Sequence, residues 1–201
     1  MDINKLITET NAEYMPLKLK SKDSSLTAEE SEKLFELDAK LGLYKILKTS
    51  FMEEITKNKA VMKYFLDNGL VTMHQETARD ANNKEVIVDV PDQSMEERIA
   101  MLPDIFTEPI LEKMVKGHKE NISVLKEGDS RLKKELYELQ VLNAFLPEEA
   151  TEKDIFEYLD TEFPDGVEQK MMGKVIGQVK AAFKRADGKL ISQCVKERIK
   201  H

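Results

Sequence analysis

The chain has 201 residues, of which 41% are hydrophobic and 34% charged, and its 31 Lys+Arg against 38 Asp+Glu leave a formal net charge of −7. That length holds one ordinary domain or two small ones, and the composition is globular rather than disordered. The negative balance excludes a protein that coats nucleic acid over most of its surface, and no apolar run approaches the ~20 residues of a membrane span.

The single cysteine, Cys194, cannot close a disulfide within one chain. Met1-Asp2-Ile3-Asn4-Lys5 has the character of neither a signal nor a transit peptide. Both observations lead us to expect a reducing, cytoplasmic setting with no membrane partner. The three histidines, His74, His118 and His201, lie far apart without a second His or Cys at ligand spacing, so no metal site is expected. A phosphate-cradling glycine loop, a nucleophile elbow and a His-Glu-x-x-His helix are all missing. The chain reads as a non-enzyme, with no catalytic residues and no cofactor.

Residues 1–26 contain Pro16 and a serine-rich run and are expected to be only partly ordered. Thr27-Ala28-Glu29-Glu30 is a capping box. Behind it Leu34, Leu37, Leu41, Tyr44, Leu47, Phe51 and Ile55 keep the three-and-four spacing of one buried stripe. The spacing predicts a helix from about Thr27 to about Asp67, broken near Asn58. Asn68-Gly69 ends it. Val86, Val88 and Val90 then alternate with Ile87 and Asp89 after an Asn82-Asn83 turn, which predicts a strand pairing with Leu70–Gln75. Two strands alone are marginal in water, so this hairpin is expected to lean on the helices.

Ser94-Met95-Glu96-Glu97 is a second capping box. Thr107 and Pro109 open a helix running to about Lys126, ended by Gly128. Asp129 or Ser130 caps the next, with a predicted stripe of Leu132, Leu136, Leu139, Leu142 or Asn143, and Leu146; Pro147 closes it. Thr151 to Asp154 starts a helix carrying Ile155, Tyr158 and Leu159, and Phe163-Pro164-Asp165-Gly166 is a loop. Helices over about Val167–Lys184 and Gly188–Lys200 complete the chain. The expected fold is all-α: an N-terminal helical domain over 1–146, with a small β-hairpin insertion at about 66–105, and a three-helix C-terminal domain over 147–201.

Charge is divided unevenly. Residues 170–201 hold nine basic residues (Lys170, Lys174, Lys180, Lys184, Arg185, Lys189, Lys196, Arg198 and Lys200) against Asp187 and Glu197, a net of +7. The other 169 residues carry 22 basic and 36 acidic groups, a net of −14. On a helical wheel Met172, Val175, Ile176, Val179 and Phe183 form a core stripe. Lys170, Lys174, Lys180, Lys184 and Arg185 fall opposite, on the same side as Gly173, Gly177 and Ala181. Glycine within a helix costs roughly 1 kcal/mol relative to alanine, so its place among the lysines points to something that approaches the backbone closely: RNA, or another helix. In Arg185-Ala186-Asp187-Gly188-Lys189, Asp187 is the expected N-cap of the last helix, with Arg185 and Lys189 left to hold any phosphate. Cys194 falls beside Leu190 and Ile191 as a core residue.

Met172-Gly173-Lys174-Val175-Ile176-Gly177 followed by Arg185-Ala186-Asp187-Gly188-Lys189-Leu190-Ile191-Ser192 resembles the C-terminal signature of the YqeY family. This module also forms the tail of the GatB subunit of the glutamine-dependent Asp/Glu-tRNA amidotransferase. The similarity extends to Lys116–Glu127, to Lys133–Leu139 and to Leu142-Asn143-Ala144-Phe145-Leu146-Pro147, and more weakly to Lys33–Asn58; 1–26 and 66–105 find no counterpart. Family members often carry Pro-x-x-Lys-Gly before Arg-Ala-Asp-Gly. Here the stretch is Ala181-Ala182-Phe183-Lys184, so the helix is expected to run longer.

The resemblance implies an all-α protein whose tail recognises the elbow of tRNA, while the ligase chemistry lies in a domain this chain lacks. Carried over by position, Gly173, Lys174, Gly177, Arg185, Gly188 and Lys189 become RNA contacts, and the wheel adds Lys170, Lys180 and Lys184. Three functions follow in order. The first is a non-catalytic binder of tRNA or structured RNA. The second is a module that docks an acidic protein or another copy of itself. The third is an accessory protein of a tRNA amidotransferase, with carbon–nitrogen ligase activity only in the complex.

Overall fold

The computed structural model describes residues 1–199. Lys200 and His201 lie outside the described residues, and the last helix, expected to reach about Lys200, ends at Glu197 with Arg198 as its C-cap. The chain folds into two compact units, Met1–Leu146 and Pro147 onward. Among the described residues it is mostly helical with one antiparallel hairpin, and no helix is long and apolar enough to cross a membrane.

The first unit begins with α1 (Ile3–Asp23) and α2 (Ala28–Lys57). The partial order expected before Ala28 is corrected: α1 is a full helix with Pro16 inside it, capped by Asp2 through Lys5 N–H. An interior proline costs about 3 kcal/mol. Ile3 is buried in the core, with Leu6 and Ile7 packed against it, and burying one such side chain contributes ~1.5–3 kcal/mol. Tertiary packing therefore outweighs a poor local sequence. The α2 capping box forms, Thr27 Oγ1 accepting from Glu30 N and Glu30 returning the bond to Thr27 N. Its stripe buries Leu37, Leu41, Tyr44, Leu47, Phe51 and Ile55, while Leu34 stays half-buried. Asn58 ends α2 and caps α3 (Lys59–Asp67) by accepting from Ala60 N.

Strands β1 (Met73–Arg79) and β2 (Glu85–Pro91) pair antiparallel from Met73↔Pro91 to Arg79↔Glu85, with Asn83 at φ 63° in the turn. The first strand starts later than Leu70. The hairpin does not lean on the helices: both strands are exposed apart from Ala78, Val88, Val90 and Pro91, which are partly covered. His74 grips its base, bonded to Asp92 through Nδ1 and to Glu76 through Nε2, and the Thr72 hydroxyl donates to Asp92.

Helices α4 (Met95–Ala100), α5 (Asp104–Val124) and α6 (Leu132–Asn143) complete the unit. The Ser94–Glu97 box caps α4. Helix α5 starts a turn before Thr107 and ends at Val124, and Gly128 forms the turn beyond it at φ 89°. The stripe expected on α6 holds at Leu142 and Leu146, which are buried, and at the half-buried Leu132 and Leu139, and is corrected at Leu136. Leu136 is 49% exposed, and Glu138 and Val141, which were not expected in the stripe, are buried. The face that packs on α5 carries Glu135 and Glu138, and His118 of α5 meets Glu135 at 2.7 Å.

In the second unit α7 (Glu152–Glu162) starts from a Thr151–Asp154 capping box. A 3-10 turn (Gln169–Met171), α8 (Met172–Ala182) and α9 (Gly188–Glu197) follow. Their core is Ile155, Leu159, Val167, Val175, Val179, Ile191, Cys194 and Val195. Burial pushes the Cys194 thiol above its ordinary range. The long helix expected over Val167–Lys184 is corrected to eleven residues. Val167 is instead extended, its N–H donating to Arg198 O at 2.8 Å, and the helix ends at Ala182 because Phe183 turns in to pack edge-on against Tyr158.

Candidate functional site

Helix α8 places its chemistry by periodicity. Val175 and Val179 are buried, Met172 and Ile176 half-buried, and Gly173, Lys174, Gly177, Gln178, Lys180 and Ala181 exposed. Neither glycine has a positive φ, and a Cβ built on either meets nothing within 4 Å. No internal contact therefore requires a glycine at either position. Gly177 is interior to the helix, while Gly173 falls in the first turn because the helix starts later than expected.

Beyond Phe183 the chain turns through Lys184–Ala186, and Asp187 caps α9, its carboxylate accepting from Lys189 N at 2.6 Å and Leu190 N at 3.1 Å. Those amides are thereby occupied by a carboxylate, which disfavours a phosphate on the helix N-terminus. Lys180 reaches across from α8: its Cε and Nζ lie 3.8 Å from where a Cβ of Gly188 would stand. Lys180, Gly188 and Lys189 are thus brought together at the junction of the two helices.

The eight described basic residues of this end divide by partner. Arg185, with a side chain only 10% exposed, donates to the Pro147 carbonyl oxygen and lies 3.5 Å from Glu149, so it ties the start of the unit to the α8–α9 turn. Arg198 pairs with Asp160 at 2.8 Å and stacks over the Phe156 ring. Lys170 meets Glu168 at 2.8 Å. Among the described residues Lys174, Lys180, Lys184, Lys189 and Lys196 have no carboxylate within 4.0 Å; all five are exposed. Lys196 did not stand out as a site residue in the sequence. It lines a shallow depression on α9 with Gly188, Lys189, Ser192, Gln193 and Glu197, and its seven-residue spacing from Lys189, two helical turns, was the available signal.

The arrangement is an electropositive face whose smooth centre is Gly173, Gly177 and Ala181. Gly177 sits midway on the wheel between Lys174 one turn before it and Lys180 one turn after. The opposite charge collects on α7, which carries Glu152, Asp154, Glu157, Asp160 and Glu162 against Lys153. A polyanion would be drawn to α8 and α9 and repelled from α7.

A family model described as Yqey-like protein matches residues 72–199. The chain belongs to the YqeY family. The match takes in the hairpin and α4, which the motif-level resemblance did not reach, and it leaves out α1, α2 and α3, so the weak likeness over Lys33–Asn58 lies outside it. Neither a curated protein nor a solved structure matches the chain. Among the described residues no three His, Cys, Asp or Glu side chains stand where they could hold a metal ion.

Proposed function

We propose that this YqeY-family protein is a non-catalytic binder of structured RNA, with tRNA as the leading candidate, and that α8 and α9 form its binding face. The observation that carries the reading is Gly177: a glycine in the middle of a helix's exposed face at a cost of about 1 kcal/mol, with open space above it and lysines without ion pairs on both sides. A phosphate backbone can lie against such a helix, where a larger side chain would hold it off. Lys174, Lys180, Lys184 and Lys189 supply the charge, Gly173, Gly177 and Gly188 the close approach, and Lys196 extends the face along α9. Lys170 lies at its margin, shared with Glu168. Arg185 positions the turn rather than touching RNA.

Double-helical RNA is read through shape, phosphates and 2′-hydroxyls, so the expected specificity is for folded RNA over single strands rather than for a base sequence. Neutralising about four phosphates gives a log–log salt slope of roughly −3 to −4, about a hundredfold loss of affinity between 50 and 200 mM salt. Fluorescence anisotropy with labelled tRNA across that range tests it. A flat salt dependence, or no binding at 50 mM salt, would sink the proposal.

A further inference from the structure

The hairpin is the part of the first unit that the fold leaves least covered, and its ladder fixes which backbone groups remain free. Asp80 N–H donates to Lys84 O, and Asp92 N–H to Thr72 O, each at 2.9 Å, at the two ends of the register. Bonded pairs alternate with non-bonded ones in an antiparallel ladder. His74↔Val90, Glu76↔Val88 and Ala78↔Val86 are therefore the bonded pairs between. It follows that the N–H and C=O groups of Glu85, Ile87 and Asp89 point away from β1, along an edge that no other strand covers among the described residues. Ile87, at the middle of that edge, is 71% exposed.

Edges of this kind are normally blunted by lysine, proline or a bulge. β2 has none of these three before Pro91, and its charges on that edge are Glu85 and Asp89 alone; its sequence is Glu85-Val86-Ile87-Val88-Asp89-Val90, rich in the β-branched residues that favour pairing. It is also self-complementary in one register. Antiparallel pairing of two copies about Val88 sets Val86 against Val90 of the second copy and Ile87 against Asp89, and brings six valines onto one face. Centring on Ile87 instead would put Glu85 opposite Asp89, and centring on Asp89 would put like charges face to face, both destabilising. In the Val88 register the outward groups of Ile87 and Asp89 satisfy each other, while Pro91 falls at the end, where it need only accept.

We propose that β2 pairs with β2 of a second copy about a two-fold axis through Val88, joining two hairpins into a four-stranded sheet. One strand edge buries less than the ~1,200 Å² of a stable interface, so the association is weak and is best trapped covalently. Val88 would face its own counterpart in a non-bonded pair, with Cα atoms about 4.5 Å apart, inside disulfide range.

The test oxidises the 201-residue chain carrying V88C or D89C with oxidised glutathione and compares dimers of twice 23.1 kDa on non-reducing gels. Cys194 is buried, and the parent chain controls for it. V88C is expected to give at least about tenfold more dimer than D89C, and V88C/I87P about tenfold less than V88C, since proline on a free edge removes only the outward N–H and leaves the β1 ladder intact. V88C/I87K, which blunts the edge by charge, should behave as V88C/I87P does. Equal yields from V88C and D89C, or yields insensitive to both Ile87 substitutions, would overturn the proposal.

Discussion

Replacing Gly177 separates stability from binding, because the two effects have opposite signs. A Cβ at this position meets no atom within 4 Å, and the residue is interior to α8. Alanine is therefore expected to stabilise the second unit by about 0.8–1 kcal/mol, and leucine by slightly less. In amide exchange read by mass spectrometry, that is roughly fivefold slower opening across α8, since 1.4 kcal/mol is a factor of ten. RNA affinity should move the other way with side-chain size. Gly177 is flanked by Lys174 and Lys180, and a leucine there would push a phosphate from about 4 to about 7 Å from each. At the dielectric of water each pair then loses roughly 0.4–0.5 kcal/mol, so two pairs give about fivefold weaker tRNA binding for G177L. G177A, adding only a methyl, should lose less than about twofold on the same scale. If G177L speeds exchange, the site is packed and the geometry is wrong; if it slows exchange but leaves tRNA binding untouched, nothing approaches the backbone there.

Arg185→Met should destabilise the second unit by roughly 1.5–3 kcal/mol, the worth of a charged hydrogen bond from a nearly buried side chain, seen as a lower urea midpoint, while tRNA affinity of the folded protein stays within about twofold; a large affinity loss without destabilisation would make Arg185 a contact. His74 is held above its ordinary value near 6.5, chiefly by its bond to Glu76 and then by Asp92. A raised folded-state value means that the stabilisation of the hairpin base is complete below about pH 6.5 and is lost as pH rises through the folded-state midpoint. An NMR titration of the imidazole should show that midpoint above 6.5, with Glu76→Gln lowering it more than Asp92→Asn, and an unshifted midpoint would refute the clamp. On the acid side Asp92 is depressed, mainly by the Thr72 hydroxyl and then by His74, so the same base loosens again once Asp92 protonates.

What was legible in the sequence was local. The boxes at Thr27, Ser94 and Thr151, the Asn58 break and the Asp187 cap each depend on residues within one turn, and each forms. The long apolar stripe of α2 also carried through. Helix α1 was not legible, because its stability comes from packing Ile3 and its neighbours onto a core assembled by distant segments. The α6 stripe was legible at Leu142 and Leu146 but not at Leu136, for a related reason: Leu136 outranks Glu138 by hydrophobicity, yet Glu138 packs inward beside Lys134 and His118 while Leu136 stays exposed. At the candidate site the wheel separated core from lysines on α8, but no wheel shows that Arg185 turns inward to the Pro147 carbonyl, a bond spanning 38 residues. Charge alone could not distinguish a guanidinium holding the turn from one offered to a ligand.

The most direct measurement compares two triple charge reversals of equal net charge. K174E/K180E/K189E alters the face; K22E/K45E/K59E alters exposed lysines of the first unit. Titrated with labelled tRNA at several salt concentrations, the first should bind at least about tenfold more weakly than the second and lose about three from its salt slope, one for each phosphate contact removed. Equal losses from both triples, or an unchanged slope in the first, would contradict an RNA-binding face on α8 and α9.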